Sequence, residues 1–212
     1  MLTRRARLLM VVAAMLPAAV AFWPLWEVRL LAPQYPEGLG MRIFAYTVTG
    51  VKPHDLDNIN GLNHYIGMMP IRPDAIPELR YMPWILGALA LTALLVAVFN
   101  SRRLLGVWIV AFALLGVTGL WDFWRWEYNY GHKLDIENAI IIIPGMTYQP
   151  PLIGSRQLLN FTATAWPGVA AFSLGAGFLI AVLVWWTSRA RSASSLATRV
   201  GADPRHSAQV PV

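Results

Sequence analysis

The sequence predicts a mainly α membrane protein: four transmembrane helices carrying a small mixed α/β extracytoplasmic domain formed by two long loops. Three observations carry that prediction. The 212 residues are 57% hydrophobic and only 13% charged, with a mean hydropathy of +0.49, outside the range of ordinary soluble chains. Four stretches are apolar over the ~20 residues a bilayer demands. Basic residues cluster in three short segments that four crossings bring to one face: Arg4, Arg5 and Arg7; Arg102 and Arg103; Arg189, Arg191, Arg199 and Arg205.

The first apolar stretch runs from about Leu8 to Leu31. Its basic start and its Ala19/Ala21 pair have the features of a cleaved signal peptide. The apolar run continues through Phe22, Trp23 and Trp26, beyond a signal-peptide core, so a retained anchor is expected. The remaining spans are read at Met82–Phe99, Leu104–Phe123 and Trp166–Trp186.

The basic segments then place both termini in the cytoplasm of a bacterial inner membrane. The +6 net charge is a topology signal and gives no reason to invoke nucleic acid. All acidic residues except Asp203 fall on the other side or at its border. Residues 1–187 form the membrane domain with its two outer loops, 32–81 and 124–165. The tail 188–212 is polar, rich in small residues and aperiodic, which predicts disorder.

Within the loops, MRIFAYTVT (41–49), between Gly40 and Gly50, reads as a strand, and AIIII (139–143), ending at Pro144–Gly145, reads as a second, buried strand. A short helix is expected between Asp57 and Met68, capped by Asp55 or Asp57. No internal repeat is present.

The string NINGLNHYIGMM (58–69) is polar without charge in an otherwise greasy chain. On a helix, Asn60, His64 and Met68 fall four apart on one face. The second loop offers WDFWRWEYNYGHKLD (121–135) and PGM (144–146). With no cysteine, disulfides and thiolate metal sites are excluded, and an extracytoplasmic Cu(I) site would use imidazoles and thioethers. His64 and Met68, then His132 and Met146, are the candidate ligands. Met41, Met69 and Met82 are further donors on that side. Taken singly, each fits a plainer role: His64 as a hydrogen-bonded residue of a small core, the methionines as gap-fillers, His54 as a turn residue, His206 as a solvated tail residue.

Asp122 and Glu127 lie where the third span meets the interface, among Trp residues that form an aromatic belt; Arg125 is near enough in sequence to pair with either. No hydrolase, phosphate-loop or haem-attachment motif is present, so the sequence gives no reason to expect an enzyme. A copper-dependent oxidoreductase would need a redox centre to support it. Gly87, Gly168, Gly175 and Gly177 permit close helix approach and hence an oligomer.

LAPQYPEGLGM (31–41), INGLNHYIGM (59–68), PDAIPELRYMP (73–83), WEYNYGHKLD (126–135) and IPGMTYQPPLIGSRQLLNF (143–161) resemble a family of small bacterial integral membrane proteins. That family is associated with nitrous oxide reductase maturation and NosL-type copper-chaperone genes. The resemblance covers the two outer loops; the spans are generic. It implies an accessory role in copper handling beside a copper chaperone or an extracytoplasmic cuproenzyme, and supplies no ligand list. Two functions follow as expectations: a membrane accessory protein that binds or relays copper, or a metal-free structural subunit of a membrane complex.

Overall fold

The computed structural model describes residues 3–201, with the helix backbone alone over 189–201. Helix α1, Arg4–Met15, is capped by Thr3, whose hydroxyl accepts from the Ala6 amide at 3.2 Å. Pro17 cannot donate to an α-helical ladder, and the chain tightens into a 3-10 helix over Leu16–Ala21. Strand β1, Trp26–Ala32, follows.

This corrects the expectation of one helix from Leu8 to Leu31. Pro24 precedes the change, and Trp26 and Val28 alternate as buried residues with half-exposed Glu27 and exposed Arg29. Such a two-residue period is a strand pattern, and two charges inside a span would be costly.

Strands β2 (Tyr35–Ile43), β3 (Val48–Gly50), β4 (Gly154–Leu158) and β5 (Phe161–Pro167) complete an antiparallel sheet in the order β3-β2-β1-β5-β4. The strand expected over 41–49 is thus two strands, separated by a turn in which the Phe44 amide donates to the Thr47 carbonyl at 2.8 Å. The Ile run 139–143 forms no strand; its reading as buried is also corrected below.

Helix α2, Asp55–Tyr65, packs on β2 and β3. Asp55 fastens it there: its buried carboxylate accepts from the Gly40 and Lys52 amides, both at 3.0 Å. A Cβ on Gly40 would lie 2.6 Å from Val51, so only glycine allows this approach.

Helices α3 (Pro77–Phe99), α4 (Arg102–His132) and α5 (Val169–Gly201) are each long and apolar enough to cross a membrane, α5 through its Val169–Ser188 portion. Asn100, in the left-handed region at φ 51°, turns α3 into α4, and the Ser101 side chain caps α4. Trp108 donates from α4 to the Leu89 carbonyl of α3 at 3.1 Å. α1 packs against α3 and α5, with Ala6, Met10 and Ala14 buried in the bundle core. Arg7 donates to the Ala97 carbonyl at 3.0 Å, satisfying a terminal carbonyl of α3. α5 carries helix through Gly201, into the stretch whose composition predicts disorder. The rest of that tail, with His206, lies outside the described residues.

At 1.5 Å per residue, the 31 residues of α4 extend about 46 Å, against a bilayer core of ~30 Å. The excess rises into the sheet domain. Phe123 meets Trp26 edge to face at 5.3 Å, and further up the Asn63 amide donates to the Tyr130 hydroxyl. The helix end and the sheet thereby share one core, centred on Val28, Met41, Ile59, Met68, Tyr130 and Tyr148.

Candidate functional site

The site grows from the string that stood out in the sequence. Two of its asparagines tie the string to the rest of the domain, Asn60 by standing in for backbone and Asn63 by a side-chain bond. Asn60 exchanges two hydrogen bonds with Ile71, donating to its carbonyl at 3.1 Å and accepting from its amide at 2.7 Å. Asn63 is buried and bonded to Tyr130. The helix ends at Tyr65, where Gly67 takes φ 75° and the Met68 amide donates back to the Asn63 carbonyl at 2.9 Å. A Cβ on Gly67 would stand 2.7 Å from the Asp135 carbonyl.

There the two loops are laced together. The Asp135 amide donates to the Gly67 carbonyl at 2.7 Å, and the Ile140 and Ile141 amides both donate to the Tyr65 carbonyl, at 3.1 and 2.8 Å. The Tyr148 amide donates to the Gly131 carbonyl at 2.9 Å, where a Cβ on Gly131 would overlap Gln149.

Two features result. Between the inner face of the sheet, α2 and the end of α4 lies a cavity of about 490 Å³. Its lining is apolar apart from Asn63, Gln34, Asn160 and four tyrosines, and carries no charged side chain. Tyr148 is 2% exposed, and its hydroxyl has no hydrogen-bond partner among the described residues; burial also raises its pKa, so the phenol stays protonated.

The second feature is the Ile run. Ile140, Ile141, Ile142 and Ile143 are 63, 48, 56 and 40% exposed, with Ile136 beside them at 60%. The segment is fixed to a single helix-end carbonyl and has no strand neighbour, which is why the expected buried strand does not form.

The candidate metal ligands have different surroundings. Met68 is buried and lines the cavity together with Met41. His64 is exposed on the last turn of α2. His132 is half-buried, its ring stacked on Tyr128 at 3.9 Å and Nδ1 2.9 Å from the Tyr128 carbonyl. Met146 packs, half-buried, against the sheet core. Because α2 stops at Tyr65, His64 and Met68 do not share a helical face. No histidine lines the cavity, and among the described residues no three His, Asp or Glu side chains gather where they could hold a metal ion.

Among the other candidates, His54 sits at φ 67° preceding α2, 3.6 Å from Asp57. Asp122 pairs with Arg125 at 2.6 Å, and Arg125 reaches Glu78 at 3.7 Å. Glu127 is buried on α4, its Oε2 without a hydrogen bond among the described residues. Tyr130 and Tyr148, the two buried phenols of the cavity, carry no signal of their own in the sequence. The signals beside them were Gly131 and the Pro-braced turn TYQPP.

The chain matches no family model, no curated protein and no solved structure.

Proposed function

We propose that the chain is a multi-pass accessory protein of a bacterial inner membrane. Its sheet domain faces the extracytoplasmic side and docks a protein partner through Ile136 and the run Ile140–Ile143. α1 and the 3-10 helix supply the fourth crossing, since their combined rise is about 30 Å, and both termini lie in the cytoplasm.

The exposed Ile run supports docking. Contiguous apolar surface on a water-facing domain marks an interaction site. Bilayer contact is the competing explanation, and the length of α4 argues against it. From Phe123, level with the foot of the sheet, to His132 the helix climbs about 14 Å, and the Ile run follows beyond that end.

The test places a photoreactive residue at Ile142 and, separately, at Phe172, which is 66% exposed on α5. In native membranes Ile142 is expected to yield one discrete protein adduct and Phe172 to yield lipid adducts. Lipid adducts at Ile142 would remove the docking reading. Because the chain has no cysteine, single cysteines at Ser155 and Ser101 report the orientation through an impermeant thiol reagent.

Copper relay is the second reading, and the lacing of α2 to the segment after α4 favours it. That lacing brings the segments carrying His64 and His132 together at the domain surface. Copper would be cargo there, held transiently and completed by the partner's own ligands. His64→Ala should then lower Cu(I) uptake by the purified protein; unchanged uptake in His64→Ala and His132→Ala would remove these residues from any relay.

A further inference from the structure

The cavity inside the sheet domain is not used by the docking reading. We propose that it binds an uncharged single-chain lipid, an acyl or prenyl chain whose one carbonyl oxygen accepts a hydrogen bond from Tyr148.

Its volume, about 490 Å³, falls among small-molecule sites, which span roughly 300–1,000 Å³. Its shape favours a chain over a compact ligand. The lining reaches from Met41 on β2, across Val28 on β1, to Phe161 on β5 and Leu158 on β4. Four adjacent strands cover about 14 Å.

The lining also decides the head group. With no charged side chain around it, a buried carboxylate or phosphate would lack the partner that burial of a charge demands. A neutral oxygen needs only a donor, and the cavity holds one unused. The Tyr148 hydroxyl is almost fully buried and bonded to nothing among the described residues, a state that costs free energy unless a ligand satisfies it. Tyr130 adds a second phenol; its oxygen accepts from Asn63, leaving its own proton to donate.

Met41 and Met68, candidates for copper by residue type, take a different part here. Unbranched thioethers repack easily around irregular apolar shapes, which suits a flexible chain. The mouth is marked by the exposed residues Gln34, Asn160, Tyr65 and Ile141, so the chain enters past a rim that Ile141 shares with the Ile run.

Full-length protein in phosphatidylcholine nanodiscs, irradiated with a diazirine-bearing methyl palmitate, tests this by mass-spectrometric mapping of adducts. Adducts are expected on the peptides carrying Met68 and Phe161. Leu62→Trp, which fills the space from a half-buried position, should reduce them at least about tenfold. Tyr148→Phe keeps the ring, removes the donor and should reduce them about three- to tenfold. The matching free-acid probe should label these peptides weakly.

Equal labelling of wild type and both variants overturns the proposal, as do adducts confined to the apolar faces of the bundle. A free acid that labels as strongly as the ester overturns the assignment of an uncharged head. If Leu62→Trp shows no cooperative unfolding transition, Tyr148→Phe decides the outcome alone. The Ile142 adduct is read separately, so docking and lipid binding can fail independently.

Discussion

The bundle and the sheet domain obey opposite surface rules. On the bundle, Val107, Val110, Leu114, Val117 and Phe172 are each more than half exposed, and that surface is natural in lipid. Its interior is closed by small residues, Ala13, Ala93 and Ala181, at zero exposure, with few side-chain hydrogen bonds between helices. The sheet domain buries its own core around Val28, Ile59 and Tyr148 and ties its segments together with side-chain hydrogen bonds: Asp55 to Gly40, Asn60 to Ile71, Asn63 to Tyr130. The same degree of apolar exposure therefore means different things in the two regions. At Val110 it suits a bilayer; at Ile142, under the docking proposal, it is the surface a partner covers.

The largest effect is expected where the regions join. Gly168 lies against Pro24, and a Cβ there would overlap the Pro24 carbonyl oxygen; its amide donates to the Leu25 carbonyl at 2.8 Å. Gly168→Ala must displace backbone and should cost about 3 kcal/mol. Gly116 in α4 has no heavy atom within 4 Å of a built Cβ, so Gly116→Ala should stay within about 1 kcal/mol of neutral. Unfolding of both variants in lipid nanodiscs measures the difference, and equal stability would mean that the junction is not packed as described.

Paired lysines sharpen the surface contrast directly. Val110 and Ile142 are 58 and 56% exposed, so exposure alone treats them alike. Val110→Lys places a charge within the apolar Leu104–Phe123 part of α4 and should cost about 3 kcal/mol in an insertion assay. Ile142→Lys should change folding stability by less than about 0.5 kcal/mol while removing the partner adduct of a photoreactive residue placed at Ile140. Equal stability costs would erase the distinction between the two surfaces.

Much of this was legible in sequence, and the failures share a cause. Apolar run length located α3, α4 and α5, because crossing a bilayer sets a length that composition alone reveals. Run length failed at β1 for the same reason: Trp26 to Leu31 is apolar enough to extend a span, and only the alternation with Glu27 and Arg29 betrays a strand. The Ile run shows the converse error. Four isoleucines and a proline look like a buried strand, yet burial depends on a neighbouring strand, and the sheet is completed elsewhere by β4 and β5. The candidate site was half legible. Asn60 and Asn63 are visible as unusual, but their roles depend on their partners: Asn60 stands in for backbone opposite Ile71, and Asn63 bonds the hydroxyl of Tyr130, 67 residues away. His64 and Met68 were joined by a helical spacing that Gly67 interrupts.

The smallest effect tests how the Ile run is held. Asp135 starts the turn beneath it: the Asn138 side-chain amide donates to Oδ2 at 2.8 Å and the Asn138 backbone amide to Oδ1 at 3.2 Å. Those bonds, the side-chain one first, hold the Asp135 carboxyl below the usual carboxylate range, with a small contribution from His64. A carboxyl depressed in the folded state stabilises fully above its unfolded pKa, and that contribution fades as pH falls through the lower, folded value. The turn should therefore hold at neutral pH and loosen only in strong acid. Asn138→Ala should raise the Asp135 pKa toward the ordinary range, moving that loosening to milder acid, as followed by carboxyl NMR in detergent. If Asn138→Ala leaves both the titration and the Ile142 adduct unchanged between neutral and acidic pH, the Ile run is positioned by its bonds to Tyr65 alone, and the Asp135 turn is a bystander.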